Sequence, residues 1–566
     1  MMQVRYQRWL EATHLPLPLY EDLHSLSQQS EIEDRFYRYL PFGTAGMRGI
    51  MGAGTNRMNI FTIRRAVTAM ARYMLQTVKQ DSKHVVIAYD SRHGSRQFAE
   101  EAAAVLAHHD VHAHLFSALR PTPLLSFAVR KLNADGGIMI TASHNPPQYN
   151  GMKLYGADGG QLPPHASEGM LREMTLIEDE LSLPSMSWQQ ACMTPYIHLL
   201  GQEMDQAYLA QVKALSLNPS KVKAMGDQLE VVYTPLHGTG STLIPQALAS
   251  LGLSRVHEVE EQSQPDGSFP TVSVPNPEET AAFALALNEA KIYGADMVIA
   301  TDPDADRIGV AISWGDQYRH LSGNELGVLL LYYVLSQRAE QGNLPLNGVI
   351  CKTIVTSEMG CALAQHYGVK VEETLTGFKF IGEKIGDYER SGSSTFLFGY
   401  EESYGYLIGD FVRDKDAVQT AALCAEMAAV YKQEGKTLCD ILAELQQQYG
   451  YYQEEVCSYE FIGRKGEGQI YELMESLRHS PVTQIGKIPV QRKKDYRSGI
   501  DGLPSAEVIK FQLTDQSWLA VRPSGTEPKI KFYVAVVGRS EEEAQAKMEE
   551  LKSFVTSCVR EASGLD

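Results

Sequence analysis

The sequence predicts an α/β protein of three related α/β domains with mixed sheets, followed by a C-terminal α+β domain. Two observations carry this. First, three segments repeat one layout: an apolar β-branched run, a short polar turn, then apolar residues at helical spacing. They are VVIAYDSRHGSRQFAEEAAAVL from Val85, EVVYTPLHGTGSTLIPQALASLGL from Glu230 and GVICKTIVTSEMGCALAQHYGV from Gly348. Their starts lie more than one hundred residues apart, which is the spacing of domains and not of a short-period solenoid. Second, the pattern changes from about Tyr451. Short alternating strands (AEVIKFQL, SWLAVRP, IKFYVAVVG) lead into the charged helix SEEEAQAKMEELKSFVTSCVREA, the layout of a helix packed on an antiparallel sheet.

A chain of 566 residues exceeds a single core and divides into several domains. Hydrophobic residues make up 44% and charged residues 21%, as in ordinary globular proteins. The net charge of −18 argues against general binding to nucleic acid or an anionic membrane, both of which need a basic surface. A small phosphorylated substrate needs only a local cluster of Arg and Lys, so it stays open. Seven cysteines are scattered without a CxxC pair, the usage of reduced thiols in a cytoplasmic protein and not of a disulfide scaffold or zinc site. The start MMQVRYQRWLEATH lacks the apolar core of a signal peptide, and no apolar run reaches membrane-spanning length.

Four loops carry chemistry. In IMITASHNPP a strand over 137–142 runs into Ser143, and two prolines then forbid continuation as strand or entry into helix. A hydroxyl on a stiff turn at the carboxyl end of a buried strand is where α/β folds place reacting groups. Taken alone, the stretch equally suits a Pro-rich turn capped by serine. No GxSxG elbow surrounds Ser143, which counts against an α/β-hydrolase.

In TDPDADRIGV, the carboxylates of Asp302, Asp304 and Asp306 alternate directly after the strand ADMVIA. Converging carboxylates repel unless a cation compensates them, and an all-oxygen set favours Mg²⁺ or a similar hard ion. An EF-hand is excluded, because Arg307 and Ser313 stand where it needs Gly and Glu. In GYEESYGYLIGDFVRDKDA, Glu401 and Ser403 suit recognition of hydroxyls. In RPSGTEPKIKFY, Arg522, Ser524, Thr526 and the backbone around Gly525 form an anion cradle. PFGTAGMRG brings Arg48 on a Gly-rich turn, and HGTG places His237 at a strand end.

TASHNP, DPDADR, the EExS loop and RPSGTEP occur in that order, one per expected domain. The combination resembles the α-D-phosphohexomutase superfamily, the phosphoglucomutase and phosphomannomutase enzymes. The resemblance implies four domains around a central active-site cleft, here 1–205, 206–322, 323–450 and 451–566. It implies that Ser143 carries a phosphoryl group and that Asp302, Asp304 and Asp306 hold Mg²⁺ with an oxygen on Ser143. Glu401 and Ser403 match the readers of the sugar hydroxyls. TGFKFIG, with Thr376, Gly377, Phe378 and Lys379, resembles the loop that reads configuration at C3 and C4. Lys415 looks like a further substrate contact. Arg522, Ser524, Gly525 and Thr526 match the grip on the non-reacting phosphate, with Lys531 beside them. Arg48, His144, Lys153 and His237 fall at positions similar to the family's acid/base and charge-stabilising groups.

The implied reaction interconverts glucose 1-phosphate and glucose 6-phosphate, with glucose 1,6-bisphosphate as intermediate and activator. The implied partners are small sugar phosphates, with neither nucleic acid nor membrane. GFKF stands where compact bacterial phosphomannomutases usually show His after the Gly, and Tyr400 where Gly commonly precedes the Glu. The N-terminal extension and PFGTAGMRG look like the branch of phosphoglucomutases and phosphopentomutases. Pentose or mannose substrates, glucose bisphosphate synthesis, a metal-dependent phosphatase and a sugar-phosphate-binding protein without turnover are the competing readings.

Overall fold

The structure, a computed structural model, describes residues 2–43, 46–80, 82–461, 463–524 and 529–563. The chain forms two compact units. The first comprises Met1–Ser322, Phe378–Phe398 and Ser403–Gly435; the second comprises Gly323–Gly377, Gly399–Glu402 and Lys436–Asp566.

The first unit holds a seven-stranded mixed sheet. Its strands in chain order are β1 (Phe42–Gly43), β2 (Gly46–Ile50), β3 (His84–Tyr89), β4 (His112–Phe116), β5 (Gly136–Ile140), β6 (Tyr149–Gly156) and β7 (Ile197–Leu200), arranged β1-β2-β6-β5-β3-β4-β7. β3, β4, β5 and β7 run parallel, β6 returns antiparallel beside β5, and β2 pairs antiparallel with β6. The near-continuous apolar runs of β3 and β5 are buried on both faces, as parallel strands under helices require. On one face Val85, Ile87, Ile138 and Ile140 pack with Ile63 and Val67 of helix Ile60–Thr77 and Ala102 and Leu106 of helix Ser95–His108. Asn59 caps the first of these helices through a capping box with Thr62. The N-terminal extension folds as helices Met2–Glu11, Leu17–His24 and Gln29–Phe36 around fully buried Trp9. The Trp9 indole N–H donates to Glu180 Oε1 at 2.7 Å.

A second sheet of this unit contains β8 (Val231–Thr234), β9 (Val256–Glu258), β10 (Met297–Thr301), β11 (Ile308–Trp314) and β12 (Gln317–His320), in the order β12-β11-β10-β8-β9. β8, β9 and β10 are parallel, while β11 returns antiparallel to β10 with Thr301 paired to Ile308. That pairing closes residues 302–307 into a tight loop at the strand end.

In the second unit β13 (Gly348–Thr353) and β14 (Lys370–Thr374) pair in parallel. Of β15 (Thr395–Glu401) only Gly399–Glu401 belongs to this unit, and β16 (Gly405–Leu407) belongs to the first. The C-terminal sheet is wholly antiparallel: β17 (Tyr451–Glu460), β18 (Gln484–Ile485), β19 (Ile488–Asp495), β20 (Ile509–Leu513), β21 (Trp518–Pro523) and β22 (Lys529–Gly538), ordered β17-β22-β21-β20-β19-β18. Helices Gly463–His479 and Glu541–Ser563 cover it. The expected fold class holds. One strand end differs: β5 stops at Ile140, because the Thr141 Oγ1 turns to accept the Ser143 N–H at 2.7 Å.

Candidate active site

Ser143 lies in the turn between β5 and β6 with φ +51°, the left-handed region that a non-glycine residue enters only when its surroundings hold it there. Arg92 supplies much of that hold. Its guanidinium donates to the carbonyl oxygens of Ser143 (2.5 Å), Pro146 (2.9 Å) and Tyr149 (3.0 Å), and also to that of Asn145. Arg92 is buried, and Asp90 fastens its turn by accepting the Arg92 N–H at 3.0 Å and the Ser95 hydroxyl at 2.6 Å. Neither Asp90 nor Arg92 was an expected site residue. Their only sequence signal is the turn DSRHGS that follows β3.

The Ser143 hydroxyl donates to Asp302 Oδ2 at 2.7 Å, and His144 Nδ1 lies 3.3 Å from Ser143 Oγ. Asp302, Asp304 and Asp306 are buried, with one carboxylate oxygen from each within 4.8 Å of the others. Asp304 Oδ2 accepts the Thr122 hydroxyl at 2.8 Å and Lys153 Nζ at 2.7 Å. Asp306 Oδ2 accepts Lys153 Nζ at 2.9 Å and pairs with Lys415 Nζ at 3.0 Å. Asp302 Oδ1 accepts the Arg307 N–H at 3.0 Å. The second oxygens, Asp304 Oδ1 and Asp306 Oδ1, are buried without a hydrogen-bond partner. Buried polar atoms are ordinarily paired, so two orphaned carboxylate oxygens beside a third carboxylate fit a hard divalent cation. Burial, then Asp304 and Asp306, push the Asp302 carboxyl well above the usual carboxylate range. Burial opposes ionisation of Asp306 too, but Lys153, Lys415 and Arg307 outweigh it and lower its pKa.

The first unit also places Arg48 on β2 opposite Gly151, exposed, where its charge acts on Arg92. His237 is buried with φ +61°; its Nε2 lies 2.9 Å from Thr271 Oγ1 and its Nδ1 3.2 Å from the Gln264 carbonyl. The following residues brace the aspartate loop, since the Thr239 N–H donates to the Pro303 carbonyl at 2.8 Å. Phe378 and Lys379 are buried at the start of helix Phe378–Ser391, and Lys379 Nζ sits 5.2 Å from the Phe380 ring centre. Ser403 lies within the turn 402–404 after β15. Asp414, beside Lys415, accepts the Tyr155 hydroxyl at 2.9 Å.

The second unit carries Thr376 and Gly377 (φ +110°) shortly after β14, and Glu401 buried at the end of β15. Arg522 and Lys531 face each other across β21 and β22. The Ser524 N–H donates to the Lys529 carbonyl at 2.7 Å. Gly525 and Thr526 lie outside the described residues. Glu402, also not expected, accepts the Thr353 hydroxyl at 3.0 Å; burial raises its carboxyl pKa against the pull of Thr353, Lys531 and Arg522.

Four family models match in order along the chain: phosphoglucomutase/phosphomannomutase α/β/α domain I over residues 40–180, domain II over 206–315, domain III over 322–449 and the C-terminal domain over 481–553. The chain belongs to the phosphoglucomutase/phosphomannomutase family. It is a phosphosugar mutase of the isomerase class. Among similar curated proteins, a phosphoglucomutase of Staphylococcus haemolyticus (strain JCSC1435) is 40% identical over 520 residues, 89% of this chain and 91% of the relative. A similar solved fold is the open form of the Paramecium phosphoprotein pp63/parafusin, a phosphoglucomutase. It has a TM-score of 0.69 and 18% identity, covering 94% of this chain and 95% of that one. Another is an Aspergillus fumigatus N-acetylphosphoglucosamine mutase in complex with glucose 1,6-bisphosphate, with a TM-score of 0.51 and 14% identity over 97% of this chain and 99% of that one. No helix among the described residues of this family member is long and apolar enough to cross a membrane.

Proposed function

We propose that the chain interconverts glucose 1-phosphate and glucose 6-phosphate through a phosphoryl group carried on Ser143 and a glucose 1,6-bisphosphate intermediate. The observation that carries this reading is the Ser143 hydroxyl held 2.7 Å from a buried carboxylate whose two neighbours each keep an oxygen without a hydrogen-bond partner. In the first half-reaction the bond between phosphorus and Ser143 Oγ breaks as a bond forms to the free hydroxyl of the sugar monophosphate. The bisphosphate then reverses ends, and its other phosphoryl group returns to Ser143 Oγ. His144, whose Nδ1 lies 3.3 Å from Ser143 Oγ, takes and returns the hydroxyl proton.

Asp302, Asp304, Asp306 and an oxygen on Ser143 would hold Mg²⁺, which would supply positive charge against the transferring phosphoryl group. Lys153 adds a fixed ammonium beside that charge, and Arg48 a guanidinium. His237, its ring nitrogens on Thr271 and Gln264, stands with Arg48 among the charge-stabilising groups. In the same reading Glu401, Ser403, Thr376, Gly377, Phe378, Lys379 and Lys415 recognise the sugar. Arg522, Ser524, Gly525, Thr526 and Lys531 bind the non-reacting phosphate. The domain limits proposed are 1–205, 206–322, 323–450 and 451–566, and the seven free cysteines suit a cytoplasmic enzyme.

The test pairs peptide mass analysis for phosphate on Ser143 with an assay of Ser143→Ala. The expected result is phosphate on Ser143 in the wild type, and a variant that folds, binds sugar phosphates and has lost nearly all turnover. Full activity in Ser143→Ala would overturn the reading. Free phosphate released in step with sugar consumed would make the chain a phosphatase. Relative rates on glucose, mannose, ribose and deoxyribose 1-phosphates decide the sugar, with glucose expected first.

A further inference from the structure

Four histidines gather on one face of the seven-stranded sheet. His84 opens β3, His112 and His114 alternate on β4, and His198 lies on β7. The parallel register sets His84 beside His112 and His114 beside His198. Strand alternation then sends all four side chains to the same side. The rings stack, with centres 4.6 Å apart for His84 and His112 and 4.7 Å for His114 and His198. Their nitrogens face one another diagonally. His84 Nδ1 is 2.9 Å from His114 Nε2, and His112 Nδ1 is 2.9 Å from His198 Nε2. None of the four is fully buried.

The array is separate from the site described above. Its residues lie toward the amino ends of parallel strands, whereas Ser143 follows the carboxyl end of β5, which runs parallel to β3. The separation is about one strand length, roughly 15–20 Å.

We propose that this array binds a borderline divalent transition metal of the Zn²⁺ or Cu²⁺ kind through cross-strand imidazole pairs, His84 with His114 and His112 with His198. A tetrahedral ion with Zn–N bonds of about 2.0–2.1 Å holds two ligand nitrogens about 3.3 Å apart. Each facing pair therefore has to open by only about 0.4 Å, which a small side-chain rotation supplies. Burial, then the neighbouring histidines, holds His114 down to about 4 and lowers His112, so these imidazoles are neutral at neutral pH, and on metal binding the proton between each facing pair moves to the donor ring's other nitrogen, freeing both facing lone pairs. Ser82 Oγ lies 3.1 Å from His84 Nε2 and orients that ring as an outer-shell partner. Imidazole selects Zn²⁺, Cu²⁺ or Ni²⁺, while the all-oxygen trio of aspartates selects Mg²⁺. Among the described residues only the aspartates bring three such ligand atoms within 4.8 Å of one another. Each histidine pair thus leaves the remaining coordination positions to water, and two dications one ring apart repel. One ion per chain at first filling is the expected stoichiometry.

The test is calorimetric titration of the full chain with Zn²⁺ while excess Mg²⁺ occupies the aspartates. The wild type is expected to take up Zn²⁺, and the double variant His114→Gln/His198→Gln, which breaks both pairs, to bind at least about tenfold more weakly. Zn²⁺ should also shield the wild-type peptides containing His84, His112, His114 and His198 from diethyl pyrocarbonate, a measurement that needs no variant. Indistinguishable isotherms for wild type and variant, or unshielded histidine peptides at saturating Zn²⁺, would overturn the proposal.

Discussion

Arg92 donates to the carbonyl oxygen of Ser143 at 2.5 Å, so the left-handed turn presenting the hydroxyl is fastened from behind by a guanidinium. The same group reaches three further carbonyls of the loop. Lysine keeps the charge but offers no planar fork. Arg92→Lys is therefore expected to lower kcat by about a hundredfold through misplacement of the hydroxyl, with KM changed only a few-fold. Steady-state kinetics with the phosphate content of Ser143 checks this. A wild-type kcat would mean the turn holds itself.

Asp302, Asp304 and Asp306 confine negative charge where water cannot reach it, and a function built on such a cluster costs stability in the metal-free chain. Asp302→Asn is expected to melt above the wild type in chelator and to gain less from added Mg²⁺. Its turnover should fall by about 10² or more. Calorimetric scans with and without Mg²⁺ read the stability effect; a metal-free variant melting below the wild type would contradict it.

Asp416 caps helix Ala417–Gln433, accepting the N–H groups of Val418 (2.9 Å) and Gln419 (3.0 Å) and the Tyr208 hydroxyl at 2.7 Å. Burial outweighs these bonds and pushes its carboxyl up to about 6, against about 3.9 in an unfolded chain. The folded chain binds this proton more tightly. The resulting stabilisation is complete below about pH 4 and is lost as pH rises to about 6, a change of about 3 kcal/mol at most. Asp416→Asn keeps an acceptor for the cap and removes the titration. Urea midpoints should move in the variant's favour, relative to wild type, between pH 4 and pH 7. A difference that stays flat across that window would show that the carboxyl does not titrate there.

Tyr400, which precedes Glu401, is fully buried, and two glycines make room for it. A Cβ at Gly360 would lie 2.0 Å from the Tyr400 hydroxyl oxygen, and one at Gly327 2.3 Å from its ring. Gly360 sits in helix Met359–His366, where helix propensity alone makes alanine the better residue by about 1 kcal/mol. The overlap reverses the sign. Gly360→Ala is expected to destabilise by about 1–3 kcal/mol, and Tyr400→Phe in the same chain to recover part of that loss. Urea unfolding of the four members of this cycle gives the coupling directly.

The strands, the turn at SHNPP and the aspartate loop were legible in the sequence because short-range rules write them: apolar runs, proline's blocked N–H and carboxylates on alternate residues of one loop. Contiguous residues announce their chemistry before anything folds around them. The partners that make the chemistry usable were not legible. Thr122 meets Asp304 across 182 residues and Arg92 reaches Ser143 across 51, while Lys153, marked only by the family resemblance, reaches Asp304 across 151. A lone Thr opening a helix, Lys within a strand or Arg in a turn looks like many others in sequence. Only strand order and register decide which of them arrives beside a buried carboxylate and which stays in solvent. The same holds for the four histidines, spread over more than one hundred residues and gathered into one array by parallel pairing alone.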